Sequence, residues 1–215
     1  AVNKAVKARE AQGDRINWAP QPNSYYTCDP LVEDFSAASL KVPTMVGSVF
    51  SEFSSFQSGP DYSALSAAER EELVKARFGA EGGEKILAAF RKAFPGMNEA
   101  YALHYDTAFL PPTVEYVEKK AKEASAPVYN YLFNLVFDVD GGKAAWHCSD
   151  IPYFFHNGEM VPVCHQEAGD MLEQVMSGAF VNFARTGNPN CPGLPQWEPC
   201  SEGKLVTMEF GPTCA

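Results

Sequence analysis

From residue 42 onward the apolar positions follow two different periods. Val42-Pro43-Thr44-Met45-Val46-Gly47 is a short, β-branched apolar run that a glycine ends, which predicts a strand buried on both faces of a parallel sheet. Pro127 to Phe137 alternates strongly enough to predict a second strand, with Asp138 to Lys143 a loop around Gly141-Gly142. Leu205 to Phe210 predicts a last, short strand. Between them the spacing is helical. Ser66-Ala67-Ala68-Glu69 reads as a capping box opening a helix that Gly79 closes. Glu84 to Phe94 places Ile86, Leu87 and Phe90 on one face and stops at Pro95-Gly96. Glu99 to Ala124 is helical again, with Pro111-Pro112 suited to the first turn of a new helix whose buried stripe is Val114, Val117 and Ala121. A third long helix over Asp170 to Arg185 turns Met171, Leu172, Val175, Met176, Ala179, Phe180 and Phe183 to a core, with Gly187 as its C′ residue. Ahead of all this, residues 1 to 11 have helical spacing, and Asn17 to Ser39, rich in Pro, Asn, Tyr and Ser, predicts a long loop.

Strand, several helices, strand, helix, strand is the order found at the tail of an α/β sheet protein. Three strands are few for the sheet that such helices would cover. The remaining strands are therefore expected on an absent N-terminal portion or on a second chain. No internal repeat is visible.

Composition narrows the function classes. At 215 residues and 46% apolar the chain can bury a core, and its apolar segments are interrupted before a membrane-spanning length of about 20 residues. Seventeen Lys+Arg against 27 Asp+Glu give a net charge of −10, with no basic run, which opposes binding to nucleic acid or to an anionic membrane. A neutral or cationic small molecule suits it better. The chain opens at Ala1 without an initiator Met or a signal-like apolar stretch, so a processed or cut N-terminus is expected. Its six cysteines, Cys28, Cys148, Cys164, Cys191, Cys200 and Cys214, are too dilute for a disulfide-stapled fold and do not fix the compartment. The lack of any Asn-x-Ser/Thr site tilts the expectation toward a bacterial cytoplasmic protein over a secreted one.

In open α/β sheets, functional groups gather in the loops at the carboxyl ends of the strands. After the first strand comes Ser48-Val49-Phe50-Ser51-Glu52-Phe53, and after the second comes Ala144-Ala145-Trp146-His147-Cys148-Ser149-Asp150. A carboxylate and a histidine from two such loops are what acyl transfer by a nucleophile needs, since the carboxylate fixes the imidazole tautomer and stabilises the imidazolium. Glu52 would be that orienter and His147 the base. Either residue alone would be read as a solvated charge or a structural histidine.

The two motifs together carry a resemblance. Val42 to Glu52 resembles the acid motif of the type B carboxylesterases, which include cholinesterases and para-nitrobenzyl esterases, and in which a glutamate stands five residues after a strand-ending glycine, as Glu52 does after Gly47. Ala145-Trp146-His147-Cys148-Ser149-Asp150, followed by Tyr153-Phe154-Phe155, is similar to the family's histidine motif. Phe180 to Asn190 with its Thr186-Gly187-Asn188-Pro189 ending, and Leu194-Pro195-Gln196-Trp197, resemble the structural segments that follow. The likeness runs from about residue 17 to the end and is closest to para-nitrobenzyl esterase-like sequences. Departures are Phe53 where the family has Gly and Asp150 where a Glu is common. The Gly-x-Ser-x-Gly elbow and the Gly-rich oxyanion segment are absent, since the only glycines four apart, Gly79 and Gly83, flank Glu81.

The resemblance implies that residues 1–215 are the C-terminal part of a single α/β-hydrolase catalytic domain, few strands under several covering helices. It implies ester hydrolysis with Glu52 and His147 as triad acid and base, no cofactor and no metal. The implied partners are a small-molecule ester and a serine-bearing N-terminal portion, as a separate chain, or else self-association. The cholinesterase-like fold also serves adhesion proteins that have lost triad members, so a non-catalytic interaction module or an inactive fragment is the alternative.

Other candidates have plainer readings. Ser149 is too near His147 to be its nucleophile and reads as a loop or helix-start hydroxyl. Cys148 and Cys164 beside His147 and His165 lack the Cys-x-x-Cys or His-x-x-x-His spacing of a zinc site. His104 and His156 read as structural or exposed, Asp150 as a loop support or a member of a secondary hydrogen-bond network, and Trp146 with Tyr153-Phe154-Phe155 as core.

Overall fold

A computed structural model describes residues 2–13, 20–26, 29–56 and 61–214. Cys28 and part of the long N-terminal loop lie outside the described residues. The chain divides into two compact units, residues 1–35 and 36–215. The first contains helix α1 (Val2–Glu10), which buries none of its side chains.

The second unit contains the sheet. Strands β1 (Thr44–Val49), β2 (Val128–Phe133) and β5 (Thr207–Phe210) lie parallel in the order β1-β2-β5. Between β1 and β2 run α2 (Ala67–Phe78), α3 (Ala80–Ala93) and α4 (Leu110–Glu123). Between β2 and β5 come a small antiparallel hairpin of β3 (Val136–Phe137) and β4 (Lys143–Ala144), then α5 (Ile151–Phe155) and α6 (Glu167–Thr186). Among the described residues no strand pairs with the outer edge of β1 or β5.

Local chemistry accounts for several boundaries. Ser66 caps α2, its Oγ accepting from the Glu69 amide while the Ser66 amide donates to the Glu69 carboxylate, which satisfies two donors that a helix start leaves open. Gly187 ends α6 in the left-handed conformation, φ 76°, that an L side chain resists. Pro111 and Pro112 sit in the first turn of α4.

Several elements differ from the sequence expectation: the stretch expected to be helical from Glu99 is a 3₁₀ helix over Glu99–His104 and is then irregular until α4 opens at Leu110. β1 runs two residues later, so Gly47 is interior to the strand. It faces Tyr131, and a Cβ on Gly47 would come to 2.3 Å of the Tyr131 carbonyl oxygen. The segment from Pro127 to Phe137 is cut at Asn134 and Leu135, where the Asn134 amide donates to the Phe210 carbonyl and its side chain to Glu209, and the chain turns into the hairpin. α3 begins at Ala80 and takes in Gly82 and Gly83, because a Cβ on Gly83 would meet the Lys75 Cα at 2.7 Å where α2 and α3 touch. Met171 is 76% exposed on α6, while Leu172, Val175, Met176 and Ala179 form the buried stripe.

One core joins the three β-strand segments to α2, α3, α5 and α6. Its centre is aromatic: Phe50, just beyond β1, lies edge-to-face with Phe94 and Tyr105, and Trp197 packs in the same manner on Tyr129 and Phe210.

Candidate active site at the carboxyl ends of the sheet

Beyond Val49 the chain leaves the sheet but keeps pairing. The Phe50 amide donates to the Phe133 carbonyl, the Ser51 amide to Ala145, and the His147 amide to the carbonyl of Glu52. These main-chain bonds align segment 50–52 with segment 145–147. Glu52 is thereby brought beside His147, 95 residues away in sequence, and the Glu52 carboxylate accepts a 2.6 Å hydrogen bond from His147 Nδ1. Its other oxygen accepts from the Val49 amide at 3.1 Å, so both ends of the carboxylate are held.

The two side chains differ in burial. Glu52 is 9% exposed and His147 40% exposed, which leaves an anion enclosed and an imidazole with solvent access. With Nδ1 occupied as donor, the other ring nitrogen of a neutral His147 is an acceptor. Two residues here adopt the left-handed region that side chains disfavour, Glu52 at φ 43° and Cys148 at φ 69°. Such strain collects where the surroundings force a side chain into one direction, as the backbone pairing does here.

Beneath the pair, the Tyr131 hydroxyl on β2 donates to Asp150 at 3.1 Å. Burial pushes Asp150 up, and the Glu52 charge adds to this, against the opposing hydrogen bond from Tyr131 and the nearby His147. Burial likewise pushes the Tyr131 hydroxyl far up, with the Asp150 charge second. Asp150 thus supports the loop through Tyr131 and not through a hydrogen bond to the imidazole. Tyr131 was not among the residues that the sequence singled out; its only trace there is Gly47, the register partner that leaves room for its ring.

Two phenyl rings flank His147. Phe53 lies 4.2 Å from the imidazole centroid at an interplanar angle of 30°, and Phe109 lies 6.2 Å away and 5.6 Å from Phe53. Phe109 is positioned by Asp106, a buried carboxylate that accepts from the amides of Ala108, Phe109 and Leu110 at the start of α4. No sequence signal marks Phe109 as a neighbour of His147.

The remaining candidates fall elsewhere. Ser149 is buried in the turn before α5, its amide donating to Trp146. Cys148 is exposed beside His147, but partial burial and then the charges of Asp150 and Glu52 push its thiol up, away from the thiolate a nucleophile requires. Among the described residues no three His, Cys, Asp or Glu side chains gather as a metal site. His104 meets the Tyr62 hydroxyl, and His156 meets Glu173. Trp146 stacks on Phe137, Tyr153 and Phe154 are buried, and Phe155 is exposed, unlike the core position expected for it.

Residues 2–214 match the carboxylesterase family. The chain belongs to that family. A solved esterase of Clostridium hathewayi, described as able to hydrolyse aliphatic aromatic polyesters, is 38% identical, covering 99% of this chain and 42% of its own, with a TM-score of 0.90. A thermophilic PNB esterase and a second PNB esterase share the fold at 20% and 18% identity, with TM-scores of 0.60 and 0.56. The mouse bile salt-activated lipase is 30% identical over 105 residues, which are 46% of this chain and 18% of the lipase. This carboxylesterase chain therefore spans less than half the length of these relatives, and its three parallel strands with their covering helices are the C-terminal portion of an α/β-hydrolase fold.

Proposed function

We propose that this chain carries the acid and the base of a serine-type carboxylic ester hydrolase, with the nucleophile on a serine-bearing N-terminal portion of the same catalytic domain. The observation that supports this reading above any other is the 2.6 Å bond from His147 Nδ1 to Glu52 at the carboxyl ends of β1 and β2. The free imidazole nitrogen takes the serine proton as the serine oxygen attacks the ester carbonyl, then gives that proton to the leaving alcohol. In the second half the same nitrogen deprotonates the water that hydrolyses the acyl-enzyme. Glu52 holds the tautomer and stabilises the imidazolium that forms twice per turnover. The outer edges of β1 and β5 are where the serine-bearing portion would continue the sheet, since an uncovered strand edge offers unpaired amides and carbonyls.

The test uses a small activated ester and the chain with and without a serine-bearing portion. The chain alone should hydrolyse p-nitrophenyl acetate no faster than free imidazole and should take no fluorophosphonate label. Together the two should turn over and label on the serine. Labelling of this chain alone, or turnover that survives His147→Ala, would overturn the assignment.

A further inference from the structure

We propose that Phe53 and Phe109 form the wall that receives the alcohol half of the ester and that they favour an aromatic group there. This rests on His147 acting as the base and acid described above. In the acylation step the serine oxygen forms its bond to the carbonyl carbon, the bond from that carbon to the alkoxy oxygen breaks, and the proton travels from serine through His147 to the departing alkoxy oxygen. Of the two halves of the ester, the alkoxy oxygen is the one that must come within hydrogen-bond reach of the imidazole, about 3 Å.

Whatever is attached to that oxygen then lies beside the ring stacked on His147. That ring is Phe53, with its centroid 4.2 Å from the imidazole centroid, and Phe109 extends the same surface 5.6 Å further on. Both rings are large, apolar and about half exposed, at 50% and 45%, although most aromatic side chains of this chain are packed into its core. Their planes meet at 51°, so together they offer a face and an edge to a third ring. The arrangement is maintained by both neighbours: Phe53 follows the held carboxylate of Glu52 directly, and Asp106 fixes the turn that presents Phe109.

The experiment compares benzyl acetate, ethyl acetate and ethyl phenylacetate on the esterase that contains this chain with its serine-bearing portion. The variants are Phe53→Leu and Phe109→Leu, which keep an apolar side chain of comparable reach. Each should lower kcat/KM for benzyl acetate about three- to tenfold more than for ethyl acetate, the worth of one aromatic contact. An unchanged thermal unfolding midpoint certifies that the variant is folded. Equal losses on all three esters would overturn the proposal and make Phe53 a support for the imidazole. A loss confined to ethyl phenylacetate would overturn the assignment to the alcohol half. No change on any ester, with or without a loss of stability, would overturn it as well, since the rings would then serve only to pack against the N-terminal portion. Failure of the triad reading is distinguishable, because it appears as activity persisting in His147→Ala whatever the selectivity.

Discussion

Among the described residues, two histidine–carboxylate pairs have nearly the same geometry. His147 donates to Glu52 at 2.6 Å, and the His156 Nδ1 lies 2.8 Å from Glu173. Each carboxylate is enclosed, each also accepts from a backbone amide, and each pair includes one left-handed residue, Glu52 in the first and His156 in the second. The surroundings separate them. His147 stands at the carboxyl ends of parallel strands, with its backbone tied to that of Glu52, two phenyl rings against it and a buried Asp150 and Tyr131 below. His156 is the C-terminal cap of the short helix α5, 60% exposed, and ties that helix to α6. A bonded pair of this kind is thus not sufficient to mark a site. Its place at the strand ends, and what flanks the imidazole, distinguish the first from the second.

The largest test of that contrast is to remove each histidine in the complete esterase. His147→Ala should lower kcat by up to about 10⁶-fold, as loss of a general base that works with its nucleophile does in serine hydrolases, whereas His156→Ala should leave kcat within about twofold. Comparable losses from both would erase the distinction. Next come the carboxylates. Glu52→Gln keeps the shape but supplies the wrong partner for Nδ1–H, and a kcat decrease of about 10⁴-fold is expected.

Glu173→Gln should cost stability, about 1–3 kcal/mol by chemical denaturation, and not activity. Burial works to raise Glu173, but hydrogen bonds from His156 and the Gly158 amide, with the nearby imidazole charges, outweigh it and leave the carboxyl lowered. The folded protein therefore binds that proton less readily than the unfolded chain. The contribution is fully present above the ordinary carboxylate value of about 4.3 and is lost as pH falls through the lowered one, so the gap between wild type and variant should close in acid. A gap that is unchanged at low pH would show that the carboxylate's charge plays no part.

The smallest effect, of opposite sign, is expected at Asp150. Its carboxyl is raised, so the native state holds the proton more tightly than the unfolded chain does, and stability declines as pH climbs from about 3.9 through the raised value. Asp150→Asn keeps an acceptor for the Tyr131 hydroxyl and removes that decline. Denaturation midpoints for the variant should overtake wild type over that window and then run parallel to it; a variant less stable at every pH would mean that the charged form is the favoured one.

Helix boundaries were legible wherever a local interaction sets them: the reciprocal bonds of Ser66 and Glu69, the prolines opening α4 and the left-handed Gly187 all act within a few residues. The two motif loops were legible for a similar reason, since residue type and spacing in each identified the family. Less was visible where another element decides. The helix expected from Glu84 begins at Ala80 and includes Gly82 and Gly83, although glycine disfavours helix interiors by about 1 kcal/mol, because the close approach of α2 leaves no room for a Cβ at Gly83.

The sequence by itself determined the three parallel strands and the long helices to within a few residues, where several of them stop, and that one carboxylate loop and one histidine loop follow strands. Only the tertiary structure decided that Gly47 lies inside β1 opposite Tyr131, that Asn134 bends the chain out of the sheet, and that Phe109 stands beside His147. Those outcomes depend on strand register and on contacts between residues far apart in the chain. Hydrophobic period and capping signals report a residue's own neighbours, whereas the meeting of Glu52 and His147 is fixed by main-chain bonds between two segments whose sequences carry no record of their alignment.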